Sequence, residues 1–206
     1  MPRVRQQLTL AAALVAALAL TGGSAALGAK SSPATTLANY LVQGGEETGF
    51  VPAGKPSTFK TAEAWGSVLD AKGAPARLTK EGFVSALSEY TLYTPKRGSG
   101  GGISWAVELG SAANAKAEAS ADYKQLAVGS EGATVVERYA LKGIADSRAW
   151  TSEALGFVSA NVIFIEGRCV MLIGVERTQG GTGTNTVAPM EAAADSIYKH
   201  SHGTCP

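Results

Sequence analysis

The stretch FVSANVIFIEGRCVMLIGVE (Phe157 to Glu176) sets the strongest constraint on how this chain can fold. Two apolar runs meet at Glu166-Gly167, a pair suited to a tight turn, and neither run alternates cleanly between apolar and polar residues. Side chains of a strand point to opposite faces in turn, so a strand that is apolar throughout has to be covered on both sides. The hairpin therefore predicts the centre of a sheet with other elements packed above and below it.

Three segments have the spacing to supply that cover. TAEAWGSVLDAK (Thr61 to Lys72) places Ala62, Trp65, Val68 and Leu69 on one helical face, with Gly73 and Pro75 as a stop just past its end. Ser111 can cap a second helix, Ser111 to Leu126, on which Ala112, Ala115, Ala119, Tyr123 and Leu126 share a face. A third begins near Thr186, tolerates Pro189 in its first turn, and lays Met190, Ala193, Ala194, Ile197 and Tyr198 on one side.

Further strands are expected around the hairpin. Ile103, Trp105, Val107 and Leu109 alternate with Ser104, Ala106 and Glu108, which predicts a strand with one buried side. LTKEGFVSALSEYTLYTP reads as a helical turn ending near Gly82, then a strand up to Pro95, joined to the next strand by KRGSGGG as a flexible connection. TVVERYAL (Thr134 to Leu141) reads as another strand, LANYLVQ (Leu37 to Gln43) as a first one, and GGEETGFVPAGKPS, between that first strand and the Thr61 to Lys72 helix, as a long loop. Strands linked by hairpins and helices with one face to bury define an α+β fold: an antiparallel sheet with amphipathic helices packed against it. GFVSA occurs at Gly82 to Ala86 and at Gly156 to Ala160, each time ahead of two extended runs and an alanine-rich helix, so the chain reads as two strand-strand-helix repeats.

The start of the chain places this domain. Arg3 and Arg5 precede the apolar run Leu8 to Leu20, and small residues follow it, the layout of a secretory signal peptide over residues 1–28. Its thirteen residues make roughly 20 Å of helix, short of the roughly 30 Å hydrocarbon core of a bilayer, so cleavage after Ala26 or Gly28 is expected. The signal is of the general secretory type without a lipid-attachment cysteine, and the protein is expected outside the cytoplasm, touching a membrane only through an uncleaved signal segment. Residues 29–36 read as a flexible linker and 37–206 as a single globular domain. Loss of Arg3 and Arg5 takes 18 basic residues to 16 against 17 acidic ones, and no basic cluster remains to serve nucleic acid.

Two cysteines, Cys169 and Cys205, are an even count in an exported chain, which predicts a disulfide worth about 3 to 4 kcal/mol. The alternative use of the tail HSHGTCP is metal handling, since His200, His202 and Cys205 are zinc- or copper-ligating types. No other histidine completes such a set, so no metal and no cofactor is expected. QGGTGTNT and KRGSGGG have glycines without the lysine and hydroxyl of a phosphate loop. No serine elbow accompanies the two histidines, and Glu46/Glu47 and Glu118/Asp122 read as solvated charge in a loop and on an exposed helix face. An enzyme would need carboxylates brought together from distant segments. Trp65 and Trp105 belong to apolar faces, whereas Trp150 in DSRAWTSEALG stands between elements and is the surface candidate for ligand binding.

GIADSRAW followed by GFVSANVIFIEGRCVMLIGVE, ISWAVELGSAANAKAEA, the C-terminal helix and the near-terminal cysteine together resemble exported proteins of unassigned function in high-GC actinobacteria. The resemblance spans most of the mature chain and implies export and an α+β architecture, with no catalytic residues attached. The functional expectation is an exported, non-catalytic binding or interaction domain. Its partner would be a small molecule or a cell-envelope protein.

Overall fold

The computed structural model describes residues 37–42, 50–69, 71–93, 100–128, 133–154, 156–178, 186–201 and 205. The expected signal peptide and linker lie outside the described residues, as do Glu46, Glu47 and His202. Among the described residues no helix is long and apolar enough to cross a membrane.

Among the described residues eight strands form one antiparallel sheet: β1 (Phe50–Pro52), β2 (Ser57–Phe59), β3 (Ser85–Tyr93), β4 (Gly100–Glu108), β5 (Ala133–Tyr139), β6 (Arg148–Ala154), β7 (Phe157–Glu166) and β8 (Cys169–Thr178). Their order is β1-β3-β4-β8-β7-β6-β5, with β2 also paired to β3. The β7–β8 hairpin turns at Gly167 and Arg168, with Glu166 opposite Cys169, and β8 is the neighbour of β4 in the middle of the sheet. Helices α1 (Ala62–Leu69), α2 (Ala74–Lys80), α3 (Ala112–Leu126) and α4 (Val187–Ser201) cover the faces.

The doubly covered centre is what the apolar runs require. On one face Val162, Phe164, Met171, Ile173 and Val175 pack with Met190, Ala193, Ala194 and Ile197 of α4 and with Leu37, Tyr40 and Leu41. On the other, Ile163, Val170 and Leu172 join Trp105 and Val107 under α1, α2 and α3, through Trp65, Leu78, Ala115 and Ala119. Burying each large side chain of this kind contributes about 1.5–3 kcal/mol, so the two layers together hold the sheet between the helices.

Strand β4 differs from the one-sided expectation. Ser104 and Glu108, on its polar side, are also buried. Ser104 Oγ accepts from Val42 N, and Glu108 Oε1 accepts from Arg168 Nη2, so both polar groups have partners under cover.

Three local readings change. Of the expected strand Leu37 to Gln43, residues 37–42 are described and are not an extended, paired segment: Ala38–Tyr40 is a 3-10 turn, and Leu37, Tyr40 and Leu41 are buried. Their i, i+3, i+4 spacing is helical, and Tyr40 Oη donates to Ser201 O at the end of α4. The expected loop before α1 contains β1 and β2, two short strands on the outer edge of β3, interrupted by Pro52 and Pro56 in the manner of a protected sheet edge. Pro75 does not merely end α1; it lies in the first turn of α2, where a missing N–H costs nothing. Gly66 permits the two helices to meet, because a Cβ there would lie 2.7 Å from Pro75 Cγ.

The strand-strand-helix order does recur, as β3-β4-α3 and β7-β8-α4. Ala86 and Ala160 of the two GFVSA copies point to opposite faces, each toward the helix of its own unit. Since β4 and β8 are antiparallel neighbours, the rotation that superposes the two hairpins runs perpendicular to the sheet and preserves its faces. With α3 and α4 on opposite faces, the two units have opposite hand, and the repetition is one of element order alone.

Candidate functional site

The ladder register defines three rows across the face that carries α1, α2 and α3. Ser88, Trp105, Leu172, Ile163 and Arg148 form the row under the helices. Next comes Tyr90, Ile103, Gly174, Asn161 and Trp150, and beyond it Leu92, Gly101, Glu176, Ser159 and Ser152. Apolar cover ends within the second row: Tyr90, Ile103, Asn161, Ser159 and Ser152 are half-buried and Glu176 is exposed. The outcome is a trough along one end of an otherwise covered face.

Its polar groups are linked. Asn161 Nδ2 donates to Ser159 Oγ at 3.2 Å, and Ser159 Oγ lies 2.7 Å from Ser152 Oγ on the neighbouring strand. Gly174 makes room for this arrangement, since a Cβ there would meet Asn161 Oδ1 at 2.7 Å and Ile103 Cγ2 at 3.1 Å. Asn161 and Ile103 fill the space over Gly174, and Gly101 adds no side chain to the third row beside the Asn161-Ser159-Ser152 ladder. The rows thus offer hydroxyl and amide groups, which both donate and accept, beside the Glu176 carboxylate and the Tyr90 ring.

Trp150, expected at the surface between elements, is inside β6 and only 3% exposed. Its indole meets the Tyr123 ring edge-on at 5.6 Å, and the Arg148 guanidinium lies 5.5 Å over the same tyrosine while donating to Ser120. It forms the buried foot of the α3 wall of the trough and is not a surface platform. The strand was hidden by its composition: Ala149 and Trp150 are buried on opposite faces, while Ser152 and Glu153 follow as polar residues. Trp65 and Trp105 pack together at 5.5 Å in the core, as their apolar faces predict.

A pocket of about 220 Å³ lies by the start of α4, lined by Val136, Thr151, Glu153, Val158, Thr186 and Val187, and also by Ser152 and Ser159 of the ladder. Its walls are mixed, and Glu153 is its one acid. Thr151 opposes Ala160 in the ladder, so this pocket belongs to the α4 face and Trp150 turns away from it.

At the other end of the α4 face, Cys169 and Cys205 are joined, with Cα atoms 6.1 Å apart. The bond pins the tail to the first residue of β8. His200 Nε2 donates to Asn39 O, which ties the last turn of α4 to the 3-10 segment. Among the described residues, no three His, Cys, Asp or Glu side chains are grouped to hold a metal ion.

Glu118 and Asp122 are not solvated charge. They are 0% and 1% exposed, on the side of α3 that meets α2, whereas Ala112 and Leu126, expected on the buried face, are exposed. Arg77 of α2 donates through Nε and Nη2 to both oxygens of Glu118, at 2.6 and 2.8 Å, and through Nη2 to Asp122 Oδ1 at 3.0 Å. Glu81 completes the group, its backbone carbonyl fixed by Gly110 N and Asn114 Nδ2. Burial, a hydrogen bond with Glu118 and the charge of Glu118 push the Glu81 carboxyl up to about 8. Burial first, then the Glu118 charge, raises Asp122 well above the usual carboxylate range. Sequence reasoning missed this cluster, although Arg77/Glu81 and Glu118/Asp122 are both i, i+4 pairs that a helix brings to one side.

No protein-family model matches the chain, and no curated protein is similar to it in sequence. Among solved structures it is similar to the extracellular domain of PknH from Mycobacterium tuberculosis, with a TM-score of 0.57 and 12% identity over 84% of this chain and 98% of that one. The likeness is one of fold, and it is to an actinobacterial protein, as the sequence resemblance implies.

Proposed function

We propose that this chain is an exported, non-catalytic domain that binds a small neutral, hydroxyl-rich molecule in the trough on the three-helix face. The observation that carries this reading is the Asn161-Ser159-Ser152 ladder, a connected set of donors and acceptors on a half-open face of a sheet that is otherwise covered. Hydroxyl and amide groups match alcohols, which also donate and accept, and the Tyr90 ring and Ile103 give such a ligand an apolar surface to lie on. Glu176 opposes an anion, and Arg138 at the end of the second row is engaged with Ala127 O. Export is supported by the signal-like leader, by the disulfide, which persists in oxidising compartments, and by the fold shared with an extracellular domain.

The test uses the full chain expressed with its leader in a secreting host. The exported protein should have the mass expected for cleavage after Ala26 or Gly28 and lack two hydrogens relative to its reduced form. Methyl α-glucoside and sorbitol, titrated into the labelled protein, should shift the amide resonances of Ser152, Ser159, Asn161 and Gly174, and inorganic phosphate should not. Ser159→Leu should abolish the shifts. Perturbation of Val136, Thr151, Glu153 and Thr186 that leaves Asn161 and Gly174 unmoved, or a response to phosphate in place of the polyols, would overturn the assignment of the trough.

A further inference from the structure

The contact between α2 and α3 brings three carboxyl groups to one guanidinium. Arg77 directs its donors to Glu118 and to one oxygen of Asp122. As carboxylates, Glu81 and Asp122 each keep one buried oxygen, Oε2 and Oδ2, without a donor among the described residues. Arg77 Nη2 draws Glu118 Oε1 and Asp122 Oδ1 to one nitrogen, at 2.8 and 3.0 Å, but a carboxylate donates nothing, so carboxyls gathered here attract one another only when one of them carries a proton. Full ionisation would also leave three negative charges against one positive charge where Glu118 and Asp122 have no access to water.

We propose that a proton shared among Glu81, Glu118 and Asp122 fastens α2 to α3, and that its loss at alkaline pH loosens the joint. The groups facing it are few. Arg77, Lys80 and Glu81 come from α2 and the residue that follows it, and Glu118 and Asp122 come from α3; Arg77 stabilises ionised carboxylates, and Lys80 does so weakly from an exposed position. Glu81 is the partly exposed member, and it is the route by which solvent takes the proton. Asp122, more than nine-tenths buried with one oxygen lacking a donor, is the member that suffers when the proton leaves. The joint lies over the core around Trp105, so its loosening acts on the helical cover of the face that holds the trough.

Carboxyl carbon NMR and hydrogen exchange on the full, disulfide-bonded chain test this directly. The Glu81 carboxyl should titrate near 8, and Asp122→Asn, whose amide supplies the donor that the buried carboxylate oxygen lacks, should lessen the pH dependence of α2 protection. Between about pH 6 and about pH 9 the protection of α2 amides, corrected for their intrinsic exchange rates, should fall by about tenfold or more. In Glu81→Gln, which cannot lose a proton, the profile should be flat. A Glu81 carboxyl that finishes titrating in the ordinary range, or α2 protection with the same pH profile in Glu81→Gln as in the parent, would overturn the proposal. Should Asp122→Asn fail to fold, the parent titration and the Glu81→Gln comparison decide alone.

Discussion

Gly66 in α1 lies against Pro75 in α2 so closely that an added Cβ would stand 2.7 Å from Pro75 Cγ and 2.8 Å from Pro75 N. Two effects of opposite sign follow for Gly66→Ala. In an exposed helix interior, alanine is favoured over glycine by about 1 kcal/mol. Here the contact is with ring and backbone atoms that have no rotamer to give, and overpacking of that kind costs about 1–3 kcal/mol. The clash should win: urea unfolding of Gly66→Ala is expected to show a lower midpoint than the parent.

Cys205 is expected to matter far more than the histidine near it. The disulfide spans 36 residues of sequence, and its loss in Cys205→Ser should cost about 2–5 kcal/mol. His200→Ala removes the contact with Asn39 O, a hydrogen bond worth about 0.5–1.5 kcal/mol. Thermal melts of the two variants, with and without added zinc, separate these contributions. A zinc-dependent rise in the parent that His200→Ala abolishes would restore the metal reading of the tail.

The architecture was legible wherever apolar spacing is long and regular. The β7–β8 hairpin follows from local pattern because burial on both faces demands apolar residues at every position, and α4 follows from its apolar residues at helical spacing. Leu37, Tyr40 and Leu41 were misread because three apolar residues in a short run fit a strand or a helical turn equally well, and only the packing against α4 decides. The trough could not be read, since its rows draw on β3, β4, β8, β7 and β6, whose adjacency is a property of topology. Glu118 and Asp122 were misread for a related reason. Their surroundings are supplied by Arg77, some forty residues earlier, on a helix that the sequence showed only as a turn.

Removing Arg77 strands the carboxylates it serves. Arg77→Ala leaves Glu118, fully buried, without either of its donors, and breaking a buried pair from one side costs about 3–5 kcal/mol. The outer edge of the guanidinium reaches solvent, so the lower end of that range is expected. Arg77→Ala combined with Glu118→Gln should recover part of the loss, and a double-mutant cycle by chemical unfolding measures the coupling.

Trp150 offers a sharp contrast between the two positions argued for it. Substitution of an exposed tryptophan outside any specific contact changes stability by about 0.5 kcal/mol or less. At 3% exposure beneath the Tyr123 ring, Trp150→Ala should instead cost about 3–5 kcal/mol. Chemical unfolding of the variant distinguishes the two, and a small change would mean that the indole is not part of the core in solution.

The stability of the whole domain should carry the signature of Glu81 and Asp122. Both carboxyls are raised in the folded state, Glu81 from an ordinary 4.5 to about 8, so the folded chain binds protons more tightly than the unfolded one between those limits. Stability therefore falls as pH rises through this interval, the unfolded state having fewer protons to lose. The Glu81 contribution is fully present below its unfolded value of 4.5 and is gone once the pH passes its folded value near 8. This is the reverse of a carboxylate held by a salt bridge, which is stabilising at neutral pH and lost in acid. Melting temperatures measured from about pH 5 to about pH 9 should decline for the parent and decline less for Glu81→Gln, whose amide has no proton to give up. An unchanged slope in that variant would show that Glu81 titrates alike in the folded and unfolded chain.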